Sequence, residues 1–183
     1  MNNIDVTATQ AVNQLAGKSS LLDFIMVEVS TIAVPILVLA VALQWWRRCD
    51  RLHVRHVLTA AGLSFLLGLA LNQLVLLFVH RPRPYDAGIT HLLIAKSADP
   101  SFPSDHATAS AAIALAFLFH GMRREGLWFL AGALVVMISR VYIGTHYVSD
   151  VVGGALTALA AAALVRTVYQ EGSRIDRVIT EFL

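Results

Sequence analysis

Three short stretches of this 183-residue chain hold the side chains able to do chemistry: Arg81-Pro82-Arg83-Pro84, Pro103-Ser104-Asp105-His106, and Ser139-Arg140 followed by His146 and Asp150. His146 and Asp150 are four apart, so on a helix they share a face. A carboxylate that accepts from one imidazole nitrogen fixes the tautomer and leaves the other nitrogen as a nucleophile or base. Arginine donates paired hydrogen bonds to phosphate oxygens and stays charged in any environment, and a proline-flanked backbone aims it at low entropic cost. Pro103 and Ser104 read as the start of a helix running through Ala107 to Phe119. Its first amides lack carbonyl partners and carry the positive end of the helix dipole, which suits an oxyanion, and His106 rides on that first turn. Binding and turnover of a phosphate is the chemistry these residues share.

The elements that must position them are membrane helices. Hydrophobic residues make up 57% of the chain and charged residues 14%, and the mean hydropathy is +0.66, values outside the soluble range. Apolar runs predict five spans, at about Leu21–Trp46, Val57–Val79, Ser104–His120, Leu127–Ile143 and Tyr147–Tyr169. Ahead of them, Ile4, Ala8, Ala11, Val12 and Leu15 recur at helical spacing and predict a short interfacial helix. The fold class is therefore all-α, a polytopic helix bundle forming a single integral membrane domain over residues 1–183. Nothing at the N-terminus resembles a cleaved signal peptide.

Arg47, Arg48, Arg51 and Arg55, then Arg123 and Arg124, then Arg174 and Arg177 fall on one face, which the positive-inside rule makes cytoplasmic. Arg81, Arg83, Arg140 and His146 fall on the other. Cys49, the single cysteine, lies in the first basic cluster and excludes an intramolecular disulfide. A net charge of +2 gives no reason to expect nucleic acid. Glu28 stands inside the first span, where a carboxylate either lines a site or serves as a hydrogen-bond partner; Asn72 and Gln73 pose the same alternative. The small residues Gly153-Gly154-Ala155 and Ala158 to Ala163 read as helix packing.

The order and spacing of the three motifs resemble the type 2 phosphatidic acid phosphatase superfamily of membrane lipid phosphatases, over about residues 76–154. Its third motif, S-R-x5-H-x3-D, is complete as Ser139-Arg140, His146 and Asp150. The second, P-S-G-H, is present with Asp105 in place of glycine, and the first, K-x6-R-P, keeps Arg83-Pro84 but has Leu76 at the lysine position. The resemblance implies His146 as nucleophile forming a phosphohistidine, Asp150 orienting it, and His106 protonating the leaving oxygen. It further implies phosphoryl contacts from Arg83, Arg140, Ser104 and Ser139. Arg81 is the nearest substitute for the missing lysine, with Lys96 the weaker one. No cofactor and no metal are implied, and the motif region offers no carboxylate cluster suited to Mg²⁺.

Arg-Pro-Arg-Pro-Tyr and Ser-Phe-Pro-Ser-Asp-His look like the bacterial undecaprenyl-diphosphate phosphatases of that superfamily. That subclass implies a polyprenyl-phosphate lipid substrate in the bilayer, a place in the bacterial inner membrane and a site on the extracytoplasmic side. A phosphatidic acid or phosphatidylglycerol phosphate phosphatase is the alternative substrate class, and a lipid-phosphate transporter or flippase the alternative of another kind. The transporter reading is weakened by the lack of repeat-related broken helices, and binding alone does not require His146, Asp150 and a second histidine.

Overall fold

A computed structural model describes residues 3–182, all of its regular structure helical. The elements are α1 (Asn3–Asn13), α2 (Ser20–Leu43, extended by a 3-10 turn at Gln44–Trp46), α3 (Arg51–Leu76), α4 (Asp105–Phe119), α5 (Arg123–Tyr142), α6 (Val148–Val168) and α7 (Arg174–Phe182). The chain is a multi-pass membrane protein. α2, α3, α5 and α6 each have the length and apolarity to cross a bilayer. α4 has 15 residues and is about 22 Å long, short of a hydrocarbon core of about 30 Å. It can be short because α3, α5 and α6 pack around it and its surroundings are protein rather than lipid.

The sequence of α4 explains its central place. Ala107, Ala109, Ala111, Ala112, Ala114 and Ala116 are all buried, and small side chains let three helices approach one axis. Away from the motifs, Val54, Val57, Leu58 and Ala61 of α3 pack on Ile113 and Phe117 of α4 and on Phe129 of α5. α2 is the opposite case: only 6% of its most apolar window is buried within the protein, so Leu21, Phe24, Ile32, Ile36 and Leu39 face lipid. Ser19 caps its start, accepting from the Leu22 amide at 3.4 Å.

Three features differ from the sequence-based expectation. α3 begins at Arg51 rather than near Val57, because basic residues mark where the membrane ends and not where the helix does. Arg55 and His56 are buried in it, engaged with a seventh helix that the polar tail did not announce: Arg55 donates to the Thr180 carbonyl at 2.7 Å and His56 Nδ1 lies 2.8 Å from Asp176. The interfacial helix is present as α1, but it docks with its polar side inward. Thr9 and Asn13 are buried and the Asp5 side chain is 12% exposed, whereas Ile4 is 76% exposed.

The glycine pair of α6 sets how closely it meets the start of α4. A Cβ on Gly154 would stand 2.6 Å from the Ser104 carbonyl and 3.0 Å from Ala107 Cβ, while one on Gly153 would enter the Phe102 ring. A Cβ on Gly62 of α3 would meet nothing within 4 Å. Gly154→Ala is therefore expected to cost about 1–3 kcal/mol through overpacking, seen as a lower unfolding midpoint in detergent, with Gly62→Ala neutral or slightly stabilising.

Candidate active site

The motif residues converge at the end of the bundle where α4 and α6 begin and α5 ends. Between them lies a cavity of about 310 Å³ lined by Arg83, His106, Arg140, Thr145 and His146, with Gln73, Leu76 and Asp105 on the α3 side. Its parts come from four separate segments, each held by its own local chemistry.

His146 sits in the connection between α5 and α6. Gly144 turns that connection with φ +85°, and a side chain there would collide with the His91 carbonyl. Thr145 ties it back to α5, its hydroxyl donating to the Arg140 carbonyl at 2.9 Å. The imidazole is 3% exposed. Its Nδ1 lies 2.8 Å from the Ser101 carbonyl, which can only accept, so Nδ1 carries the proton and Nε2 the lone pair. Arg83 Nη1 is 3.4 Å from that Nε2.

This corrects the expected pairing. Asp150 Oδ2 is 3.6 Å from His146 Nδ1, too far for a hydrogen bond. Its carboxylate instead accepts from the Ser101 hydroxyl, from the Tyr147 amide at 2.8 Å and from Arg81 Nη1 at 2.7 Å. Asp150 thus holds Ser101, and the Ser101 carbonyl holds the imidazole. Ser101 opens the Ser-Phe-Pro-Ser-Asp-His stretch but has no role assigned from sequence, because nothing local pairs it with Asp150 or His146.

Arg83 and Arg140 are the two arginines lining the cavity. Arg83 is fixed by Nε donating to the Asp99 carbonyl at 2.8 Å and Nη1 to the Thr145 carbonyl at 3.1 Å. Arg140, in the last turn of α5, donates from Nη1 to the Ser30 hydroxyl of α2, while its Nε is buried without a partner. Ser104 occupies the N-cap position of α4, yet its hydroxyl caps nothing and is also buried without a partner. A buried donor left unpaired costs about 1–3 kcal/mol; Arg140 lines the cavity, where an oxyanion would meet it near the start of α4, whereas Ser104 is fully buried and is not among the lining residues.

Other predicted residues fall elsewhere. Ser139 turns its hydroxyl back to the Val136 carbonyl at 2.7 Å, within α5 and off the cavity. Arg81 points behind the site, with its guanidinium over the Tyr147 ring at 3.8 Å and bonded to Asp150, Ser149 and Asp5. Lys96 reaches out to Asp86 at 3.3 Å. Leu76 lines the cavity at the family lysine position, so no lysine side chain replaces that charge. Asp105 is held by Asn72, whose amide donates to it at 2.7 Å and to Thr108 at 2.9 Å. Gln73 faces the cavity, and Glu28 is half-buried away from it.

A family model described as the PAP2 superfamily matches residues 57–174, the span that builds every wall of this cavity. The chain belongs to the PAP2 superfamily. It is 37% identical over 153 residues to "Undecaprenyl-diphosphatase BcrC" of Bacillus subtilis, covering 82% of this chain and 76% of that protein. It is 30% identical to "Bacitracin transport permease protein BcrC" of Bacillus licheniformis, covering 90% of this chain and 80% of that protein. The fold is shared with the crystal structure of a transmembrane PAP2 type phosphatidylglycerolphosphate phosphatase from Bacillus subtilis. The TM-score there is 0.67 at 24% identity, over 95% of this chain and 90% of the other.

Within this PAP2 site the His146 imidazole is kept neutral. Burial pushes its pKa below the ordinary 6.5; the Asp150 carboxylate opposes that, and Arg140 and Arg83 reinforce it. Protonation at Nε2 would remove the lone pair, so the neutral imidazole is lost as pH falls through the lowered value. A ¹⁵N-histidine titration in micelles should give His146 a midpoint below 6.5; a midpoint at or above that value would contradict this environment.

Proposed function

We propose that this membrane lipid phosphatase hydrolyses undecaprenyl diphosphate to undecaprenyl phosphate and inorganic phosphate, without a metal, through a phosphohistidine at His146. The observation that carries the chemistry is the imidazole fixed at Nδ1 by the Ser101 carbonyl, its unprotonated Nε2 facing Arg83 in a cavity also lined by Arg140 and His106. The substrate rests on the similarity to the Bacillus subtilis undecaprenyl-diphosphatase over 82% of the chain.

In the first step His146 Nε2 attacks the terminal phosphorus. The bond from phosphorus to the bridging oxygen breaks, and the prenyl monophosphate leaves with a proton from His106. Arg83, Arg140 and the first amides of α4 hold the equatorial oxygens, where phosphoryl transfer needs charge stabilised. In the second step water attacks the phosphohistidine, His106 takes its proton, and the phosphorus–nitrogen bond breaks to release inorganic phosphate and neutral His146. Two arginines and a helix N-terminus supply the positive charge that a metal would otherwise bring. Arg81 is engaged with Asp150 and Asp5 and is not assigned a phosphoryl contact. The prenyl tail stays in lipid between helices.

Placement follows from charge. The arginine clusters at 47–55, 123–124 and 174–177 lie at the end of the bundle opposite the cavity, so the cavity is assigned to the extracytoplasmic face of the inner membrane. Cys49 is exposed among those arginines. An impermeant thiol reagent should miss it in intact cells and label it in inverted vesicles; labelling from outside would reverse the orientation.

Substrate and chemistry are tested together by phosphate release in detergent from polyprenyl diphosphate, polyprenyl monophosphate, phosphatidic acid and phosphatidylglycerol phosphate, with and without chelator. Polyprenyl diphosphate should be cleaved fastest, with chelator leaving most of the rate. His146→Ala should abolish turnover, and Asp150→Asn should lower it by about 10²-fold or more, the scale at which loss of an orienting or acid–base group is felt. Faster cleavage of a phosphoglyceride would replace the substrate, and lipid binding with no phosphate release from any of them would favour transport.

A further inference from the structure

The N-terminus of α6 is capped by a different helix. An α-helix begins with amides that have no partner inside it; here the Val148 amide donates to Thr9 Oγ1 at 3.1 Å and the Ser149 amide to Asp5 Oδ1 at 2.9 Å. Both acceptors belong to α1. Asn13, two turns on from Asp5, locks the same helix to the end of α5, donating to the Tyr142 carbonyl at 2.7 Å and accepting from the His91 amide at 2.7 Å. Asp5, Thr9 and Asn13 recur every four residues, so one polar stripe of α1 clasps the segment that carries His146 and Asp150.

Arg81 completes the clasp. Its Nη2 donates to Asp5 Oδ2 at 2.7 Å, its Nη1 to Asp150 Oδ1 at 2.7 Å and to Ser149 Oγ at 2.6 Å, and the Ser149 hydroxyl in turn donates to Asp5 Oδ2 at 2.6 Å. One guanidinium therefore bridges two carboxylates, one of them fully buried. Burial acts to raise the Asp5 pKa, but the hydrogen bonds from Ser149 and Arg81 outweigh it and hold the carboxyl below its ordinary range.

We propose that Asp5 is a positioning residue of the phosphoryl-transfer site: through Arg81 and Ser149 it fixes the Asp150 carboxylate on Ser101, whose carbonyl orients the His146 imidazole. The proposal rests on the reading of His146 as nucleophile. Asp5 lies outside the residues that match the family model and touches neither the cavity nor the reacting atoms. Without its charge Arg81 keeps one of two anionic partners, Ser149 keeps one of two acceptor oxygens, and the Arg81 contact to Asp150 loses its second anchor.

The test compares Asp5→Asn with wild type, using the lipid phosphate that wild type cleaves fastest. Turnover at saturating lipid should fall by about ten-fold, the loss of one charge-assisted hydrogen bond, with KM within about two-fold. Because Asp5 acts through Asp150, adding Asp5→Asn to Asp150→Asn should cost nothing further. A general structural role would instead reduce both backgrounds by the same factor. Arg81→Lys keeps the charge but cannot bridge both carboxylates, and should reproduce the loss if Asp5→Asn does not fold.

A second readout needs no turnover. In ¹⁵N-histidine-labelled protein the His146 Nδ1–H resonance should be observable in wild type and in Thr7→Ala, on the exposed face of α1, and lost to solvent exchange in Asp5→Asn or Arg81→Lys. Unchanged turnover, equal losses in the two backgrounds, or a retained resonance would each overturn the role of Asp5. If wild type releases no phosphate from any lipid, the phosphatase reading fails by itself, and the resonance still decides whether Asp5 positions the imidazole.

Discussion

A fully buried carboxylate, Asp150, is the constraint on which the cavity end of this bundle depends. Burying an isolated charge costs several kcal/mol even after relaxation, and the fold meets that cost by surrounding Asp150 with donors from different parts of the chain. The Ser101 hydroxyl, the Tyr147 amide and the Arg81 guanidinium all converge on its side chain. Its backbone carbonyl accepts from the Ser104 amide at 3.1 Å. The long loop before α4, the start of α4, the start of α6 and the first arginine of the Arg-Pro-Arg-Pro stretch are thereby locked together. The imidazole of His146 inherits its orientation from this arrangement through Ser101 rather than by direct contact with Asp150.

Such a site is costly in a membrane unless protein screens it from lipid. α4 lies at the centre of the bundle with alanines along its length, which brings the first turn carrying His106 within reach of Arg140 and His146. α2, most of whose surface is left to lipid, still contributes the Ser30 hydroxyl to Arg140. That contact holds one end of a guanidinium that lines the cavity. The glycine pair on α6 matters for the same reason, since it allows α6 to lie against the Ser104–Thr108 turn without displacing it.

The opposite end of the bundle is closed by a second polar cluster. Asp176 of α7 accepts from the Tyr169 hydroxyl at 2.6 Å and the Gly172 amide at 2.7 Å and lies beside His56, which stacks on Tyr169 at 4.8 Å between ring centroids. This cluster lies far from the cavity and explains the buried Arg55 and His56 of α3. Helices α1 and α7 are thus held to opposite ends of the bundle through carboxylates, Asp5 in one and Asp176 in the other.

The sequence by itself determined the helical class, the five apolar helices, the family and the identity of the cavity's main residues, because hydrophobic period, chain length and motif spacing are local quantities. Arg83, His106, Arg140 and His146 could be named from residue type and the resemblance of the three motifs to the family's. The tertiary structure decided which polar partner each group takes, since that depends on which segments meet. It moved Arg81 from the substrate side to the back of Asp150, and it left Ser139 bonded within its own helix. It gave Asp105 to Asn72, placed Ser101 between Asp150 and His146, and docked α1 by Asp5, Thr9 and Asn13 instead of its apolar face. A part-buried hydrogen bond between residues 5 and 81, or a buried one between 101 and 146, leaves no trace in local pattern. Its strength comes from the exclusion of water when the helices close, and no single segment carries that information.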